Sequence, residues 1–286
     1  MDALEFFRQS MPQIEPILYR HSVSMLLRQN AETYDEPSSG TVVEIAGHYF
    51  IMTAGHVIPK NPNDGNLWLL NKTPRNPFSE GVPEFVRFRR IQPYPDVGYL
   101  EISKETVDSY LACEPCSIER LACRGTGRDG RHIALVGNPS DFARPITHTN
   151  ARGIVAVTKA FLSSPFSPRE FPTVSNDAPP VSLDIDVFVP FNQQDISDIR
   201  TGERIPMRSP HGYSGGGIWD LAFEPGQLWN PDHICVIGIQ SSYSGEREYM
   251  RGVQTEHWLR MIYEDYEECR HVIQDKFPEQ FPVTAL

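Results

Sequence analysis

Short apolar runs punctuated by turn residues set the tightest limit on how this chain can fold. They lie at 23–27, 41–45, 49–53, 67–70, 85–91 and 97–102, with no helical period between them. Runs this short at this spacing predict antiparallel strands of a barrel or sandwich rather than alternating strand and helix units. A second series follows the turn Gly127-Arg128-Asp129-Gly130, at 132–136, 153–159, 181–189, 216–219 and 234–240. Within 181–189, Val181, Leu183, Ile185, Val187 and Val189 alternate with Ser182, Asp184, Asp186 and Phe188, the period of a strand with one buried face. Between two of these runs, residues 163–180 hold five prolines and several serines, which predicts a long surface loop of functional or mobile character.

The two ends read differently. Short helices are expected around 4–8 and 14–19, each broken by proline. From Thr255 a 3.6-residue period begins, with Trp258, Met261, Ile262, Tyr266, Cys269 and Ile273 on one face and Glu264, Glu267, Glu268 and Arg270 away from it. Thr255 is the expected N-cap of a C-terminal helix that packs on the barrel. The fold class is therefore all-β, two antiparallel sets in tandem with short N-terminal helices and a C-terminal helix.

Charge and cysteines narrow the partners. A formal net charge of −11 repels phosphate backbones, and the one basic cluster, Arg87-Phe88-Arg89-Arg90, alternates as a half-exposed strand would. No nucleic acid partner is expected. The N-terminus carries acids at positions 2 and 5 and no cationic region before an apolar one, unlike a signal peptide. No stretch approaches the roughly 20 apolar residues of a membrane span, so a soluble chain with no membrane partner is expected. Five cysteines without a regular framework predict reduced thiols and a cytoplasmic location. Cys113, Cys116, Cys123 and His132 could supply zinc ligands, but no second CxxC pair exists, and buried or loop thiols are expected instead, with no metal. Cys235 and Cys269 fall on a strand and a helix, as small hydrophobes.

One serine stands among glycines in His211-Gly212-Tyr213-Ser214-Gly215-Gly216-Gly217. A serine hydroxyl attacks only with a neighbouring base, a carboxylate that orients the base, and donors for the oxyanion that forms. His56, at the end of the apolar run YFIMTAGHVI, is the candidate base, and Asp96, directly before the run VGYLEI, the candidate carboxylate. Gly212 to Gly216 also fits the GxSxG elbow of α/β hydrolases, which sits between a strand and a helix and takes its acid and histidine from later in the chain. His233, His257 and His271 lie downstream, but three glycines make a poor first helical turn and the parallel-sheet pattern is missing.

TAGH, DVGYL and GYSGGG, in that order over residues 20–275, resemble the trypsin-like serine proteases of the chymotrypsin fold, especially the bacterial intracellular type. Ala134-Leu135-Val136-Gly137-Asn138-Pro139 is similar to the strand end that opens the second barrel in many bacterial members. The resemblance implies two six-stranded β-barrels: an N-terminal helical segment at 1–20, a first barrel at 21–125 with His56 and Asp96, a second at 126–250 with Ser214, and a C-terminal helix and tail at 251–286. It implies a serine endopeptidase that cleaves protein or peptide substrates through an acyl-enzyme, with an oxyanion hole from the N–H groups of Gly212 and Ser214 and no cofactor. It makes Arg208 the pocket residue, where it would favour acidic or polar P1 side chains if it points inward. His211 and Ser209 add polar contacts, and Ser241-Ser242-Tyr243 form the substrate-pairing edge, with Tyr243 narrowing the pocket.

The chain also departs from the family. Tyr213 stands where extracellular members have the aspartate that receives a new N-terminus, and Val57 and Pro210 stand where they have cysteines. A narrower expectation follows, an enzyme that idles until a regulatory protein partner orders its pocket, as in bacterial anti-phage systems. The alternatives are a catalytically silent protease-fold binding module and a nonpeptidase acyl hydrolase.

Overall fold

The computed structural model describes residues 3–28, 34–70, 84–111, 113–123, 131–148, 151–155, 157–163, 165–167, 170–175, 178–192, 196, 204, 207, 210–224 and 226–282. Its body is two curled antiparallel sheets. The first contains β1 (Ser22–Arg28), β2 (Tyr34–Ile45), β3 (His48–Thr53), β4 (Leu67–Leu70), β5 (Arg87–Ile91) and β6 (Val97–Ile102) in the order β4-β1-β2-β3-β6-β5, and the short β7 (Cys116–Ser117) adds to β2 in parallel. Next come β8 (Ile133–Gly137) and a separate ribbon of β9 (Arg144–His148) and β10 (Ala151–Val155). The second sheet is completed by β11 (Lys159–Ser163), β12 (Asp186–Pro190), β13 (Gly217–Asp220), β14 (Cys235–Ser244) and β15 (Tyr249–Gln254), in the order β11-β8-β13-β14-β15-β12.

Both sheets curl until their edges approach, which hides strand edges that would otherwise recruit other chains. Asn63, just before β4, clasps the backbone of Phe85, just before β5, donating to its carbonyl at 2.9 Å and accepting from its N–H at 2.8 Å. In the second sheet the Phe166 N–H donates to the Phe188 carbonyl of β12 at 2.9 Å, just beyond the end of β11.

The chain ends cross over. The N-terminal helix (Ala3–Arg20) follows no strand of the second sheet, yet Phe6 stacks on Phe223 at 4.1 Å and meets Trp229 at 5.2 Å. It is one helix, not the two short pieces expected, because Pro12 and Pro16 both face solvent while Met11, Ile14, Ile17 and Leu18 are buried. Water can satisfy the carbonyls that the prolines leave unpaired, and the buried face offsets a cost of about 3 kcal/mol per internal proline. The C-terminal region, by contrast, is two helices where one was expected, Thr255–Asp265 and Glu267–Lys276, joined at an extended Tyr266. They follow the second sheet and reach across to the first: Trp258 and Tyr266 meet the Phe50 ring edge-on, at 5.9 and 5.1 Å. Thr255 is the first helical residue rather than the cap, and its hydroxyl donates to the Val236 carbonyl.

The basic cluster of β5 is taken up by these helices. Arg89 reaches Glu264 at 2.9 Å and Arg87 donates to the Asp265 carbonyl at 2.8 Å, while Arg90 caps the Ile58 carbonyl. The strand expected over 181–189 begins only at Asp186; Val181 and Leu183 are exposed, and the Ser182 carbonyl accepts from both Ile185 and Asp186 N–H groups in a turn. The run expected at 153–159 spans the end of β10 and the start of β11.

Candidate functional site

β3 ends at Thr53 and turns through Ala54 into a single 3-10 turn, Gly55–Val57, which holds His56 at the sheet edge. Asp96 lies immediately before β6, the strand paired with β3, so the pairing of Thr53 with Gly98 brings the two side chains to the same end. The carboxylate grips His56 twice. Oδ1 accepts from the His56 backbone N–H at 2.8 Å, and Oδ2 meets ring Nδ1 at 2.5 Å. Nδ1–H donation of this kind fixes one tautomer and leaves Nε2 as the basic atom. Asp96 is mostly covered, at 17% side-chain exposure, while His56 is 47% exposed, so the pair is anchored on its acid side and open on its base side. Gly55 admits this geometry, because a Cβ there would overlap the Ile91 carbonyl and come within 3.0 Å of Asp96 Oδ1.

Ser214 lies in the turn before β13, and this turn docks on the first sheet. The Ser39 N–H of β2 donates to the Ser214 carbonyl at 2.9 Å. Gly215, at φ +84°, approaches so closely that a Cβ would overlap Thr53 Oγ1, three residues before His56. Serine turn and His56–Asp96 pair thus share one strand end. Among the described residues no hydrogen bond joins the Ser214 hydroxyl to the His56 ring.

The backbone around Ser214 is satisfied selectively. Tyr213 N–H donates to Pro210, Gly215 N–H to Gln240 and Gly216 N–H to Tyr213. Among the described residues the N–H groups of Gly212 and Ser214 have no acceptor. Backbone donors near a protein interior are ordinarily paired, so two unclaimed ones on either side of Tyr213 leave a pair of donors open to an acceptor. Gly212 has φ +96°, the left-handed region that glycine enters without penalty.

Tyr213 is fully buried, its ring 5.4 Å from Phe161 in the second sheet. An aromatic wedge thus occupies the position immediately before the serine. Ser241 sits where the pairing of β14 with β15 shifts register, and its hydroxyl is spent on the Arg251 carbonyl at 3.1 Å. Tyr243 packs edge-on against Phe191 at 5.6 Å, and burial raises its phenol pKa. His211 is exposed, and its carbonyl accepts from Ser140 N–H at 2.8 Å. Arg208 and Ser209, named as pocket residues, lie outside the described residues.

The cysteines are free thiols, and burial pushes Cys116 up to about 12. Among the described residues no three metal-ligating side chains converge. No helix there is long and apolar enough to cross a membrane.

Residues that the sequence did not single out complete the site. Ser39 and Asn138 form a buried polar knot behind the serine turn, and Tyr94 reaches from the Asp96 loop to Asp186 at 3.2 Å. Asn138 carried a faint signal in the run Gly137-Asn138-Pro139, whereas Ser39 and Tyr94 carried none.

No family model matches the sequence, and no curated protein matches it. Among solved structures, the chain is similar to the Rv3671c protease from M. tuberculosis in its active form, with 14% identity over 91% of this chain and 86% of that one and a TM-score of 0.45.

Proposed function

We propose that this protein is a serine endopeptidase with His56, Asp96 and Ser214 as its triad, the two halves at 21–125 and 126–250 each contributing one side of the site. One observation carries the reading: two unclaimed N–H groups, those of Gly212 and of Ser214 itself, lie in a turn docked on the strand end that holds the His56–Asp96 pair. Their chemistry fits acyl transfer. As Ser214 Oγ bonds to the peptide carbonyl carbon, its proton moves to His56 Nε2, and the oxyanion is held by the Gly212 and Ser214 N–H groups. The intermediate collapses, the carbon–nitrogen bond breaks, and His56 returns the proton to the leaving amine. Water then attacks the acyl-serine with His56 again as base, releasing the acid and restoring Ser214. Asp96 holds the tautomer and stabilises the imidazolium.

The substrate is a protein or peptide. Tyr243 packed on Phe191 supports a short pocket that takes small side chains, and Arg208 directed inward would add a preference for acidic or polar ones. Free thiols and the paired arginines of β5 support a cytoplasmic enzyme that does not act on nucleic acid. The missing Ser214–His56 hydrogen bond favours a second reading, a protease-fold module that stays silent until a partner orders the site.

A fluorophosphonate serine probe separates the two. Labelling of the purified protein that disappears in Ser214→Ala and in His56→Ala supports the peptidase. A folded wild type that takes no label sinks it in favour of the silent module.

A further inference from the structure

Each peptide plane of the serine turn is fixed by a hydrogen bond to its carbonyl, three of the four from distant segments. In the His211–Gly212 plane the carbonyl accepts from Ser140 N–H at 2.8 Å. In the Gly212–Tyr213 plane the carbonyl accepts from the Ser39 hydroxyl at 2.5 Å and the N–H donates to Pro210. In the Tyr213–Ser214 plane the carbonyl accepts from Gly216 N–H at 2.7 Å. In the Ser214–Gly215 plane the carbonyl accepts from Ser39 N–H at 2.9 Å and the N–H donates to Gln240 at 2.8 Å. A trans peptide points its N–H opposite its carbonyl, so holding the carbonyls aims the two free N–H groups away from those partners.

Ser39 alone grips two of the four planes, once by backbone and once by side chain. It is itself fully buried and held in place. Its hydroxyl accepts from Asn138 N–H at 2.8 Å and from Asn138 Nδ2 at 3.2 Å, and its carbonyl accepts from Thr53 Oγ1 at 2.8 Å. Asn138 is also fully buried; Nδ2 donates to the Val23 carbonyl at 3.2 Å, and Oδ1 accepts from Thr158 at 2.8 Å. A buried hydroxyl with its proton committed to one carbonyl and its lone pairs to two donors has no alternative partner, so its direction is determined.

We infer that Ser39, a residue of the first sheet, is a positioning residue for the N–H pair of the second: its hydroxyl fixes the Gly212–Tyr213 plane, which lies between the planes that carry the Gly212 and Ser214 donors, and so sets how the two donors are oriented relative to each other. The inference rests on the serine peptidase reading for its effect on rate, but not for its effect on geometry.

Two measurements test it, the first kinetic. In Ser39→Ala, kcat on a peptide substrate is expected to fall about 10- to 100-fold with KM unchanged, because only the transition state uses the donors. Affinity for a peptide boronate falls by the same factor, the pH profile of kcat does not move, and Ser39→Thr restores activity by returning the hydroxyl. A folded Ser39→Ala with wild-type kcat, or a loss expressed only in KM, overturns the inference.

The second measurement needs no activity. Gly-Tyr occurs only at 98–99 and 212–213, so carbonyl-labelled glycine with nitrogen-labelled tyrosine gives two carbon signals, the former an internal reference. In wild type the Gly212 carbonyl is expected at a hydrogen-bonded shift, and it should move upfield in Ser39→Ala while Gly98 stays. If wild type takes no fluorophosphonate label but the Gly212 signal moves, the peptidase reading fails and the positioning role stands. If the signal does not move, the positioning role fails. Should Ser39→Ala not fold, the wild-type shift alone decides, since a carbonyl at its unbonded value refutes the contact.

Discussion

The two halves of the site are built from different materials. On the first sheet the proposed chemistry rests on side chains: a carboxylate and an imidazole joined at 2.5 Å, one covered and the other open to solvent. On the second sheet it rests on backbone, in a turn of mostly small residues whose carbonyls are claimed by Ser39, Ser140 and Gly216 while two N–H groups are left unclaimed. Side-chain chemistry needs the right residue at the end of a rigid strand. Backbone chemistry needs the right neighbours, which come from distant segments, and so depends on the two sheets being docked.

The sharpest way to break the comparison is to disable the side-chain half alone. Asp96→Asn keeps the shape but offers an amide where Nδ1–H needs an acceptor, so the wrong tautomer of His56 is favoured. Peptidase kcat is expected to fall by about 10⁴-fold with KM little changed. Thermal unfolding should move far less than activity does. A fall of less than about tenfold would mean that Asp96 is a strand cap and the pair is not catalytic.

The same division decided what the sequence made legible. His56 and Asp96 could be found because strand, small residues and polar side chain are contiguous in Thr53-Ala54-Gly55-His56 and in Asp96-Val97-Gly98. Ser214 stood out by its glycines. Ser39 could not be found, because nothing in Pro37-Ser38-Ser39-Gly40 distinguishes one serine from the other until Gly212, 173 positions away, packs against it. The strand expected at 181–189 failed for a related reason. Its alternation is real, but Asp186, assigned to the polar face, is buried by Arg251, 65 positions away, and Ser182 closes a turn onto the same carboxylate at 2.7 Å. The tandem all-β architecture survived because short strands are a local property. The reach of the terminal helices across to the sheet they do not adjoin in sequence is not local, and periodicity gave no sign of it.

Arg251 and Asp186 sharpen the comparison from the second sheet's side, since Tyr94 ties them to the loop that carries Asp96. The guanidinium meets both carboxylate oxygens at 2.8 Å, and it also donates to the Pro179 and Pro180 carbonyls at 2.7 Å. Both side chains are buried. Asp186→Ala leaves the cation unpaired in the interior and is expected to lower unfolding free energy by about 3–5 kcal/mol. Replacing both partners, Asp186→Leu with Arg251→Met, should recover most of that loss. If the double variant is stable yet still impaired in kcat, the pair orients the Asp96 loop through Tyr94. If activity returns with stability, its role is structural.

The smallest expected effect concerns the joint between the sheets. His21, just before β1, stacks on Trp219 of β13 at 5.8 Å, and its Nδ1–H donates to the Glu114 carbonyl at 2.7 Å. Burial, with Arg20 and Arg120 adding to it, lowers its pKa from 6.5 to about 4. A histidine harder to protonate when folded contributes stability that is fully present above pH 6.5 and is lost as pH falls from there through about 4, because the unfolded chain binds the proton first. The loss over that interval is on the order of 3 kcal/mol. His21→Asn keeps a donor for Glu114 and cannot take up the proton, so urea midpoints of the two proteins should diverge as the medium is acidified from pH 7 to pH 4, wild type falling faster. Parallel curves would show that His21 does not set the acid limit.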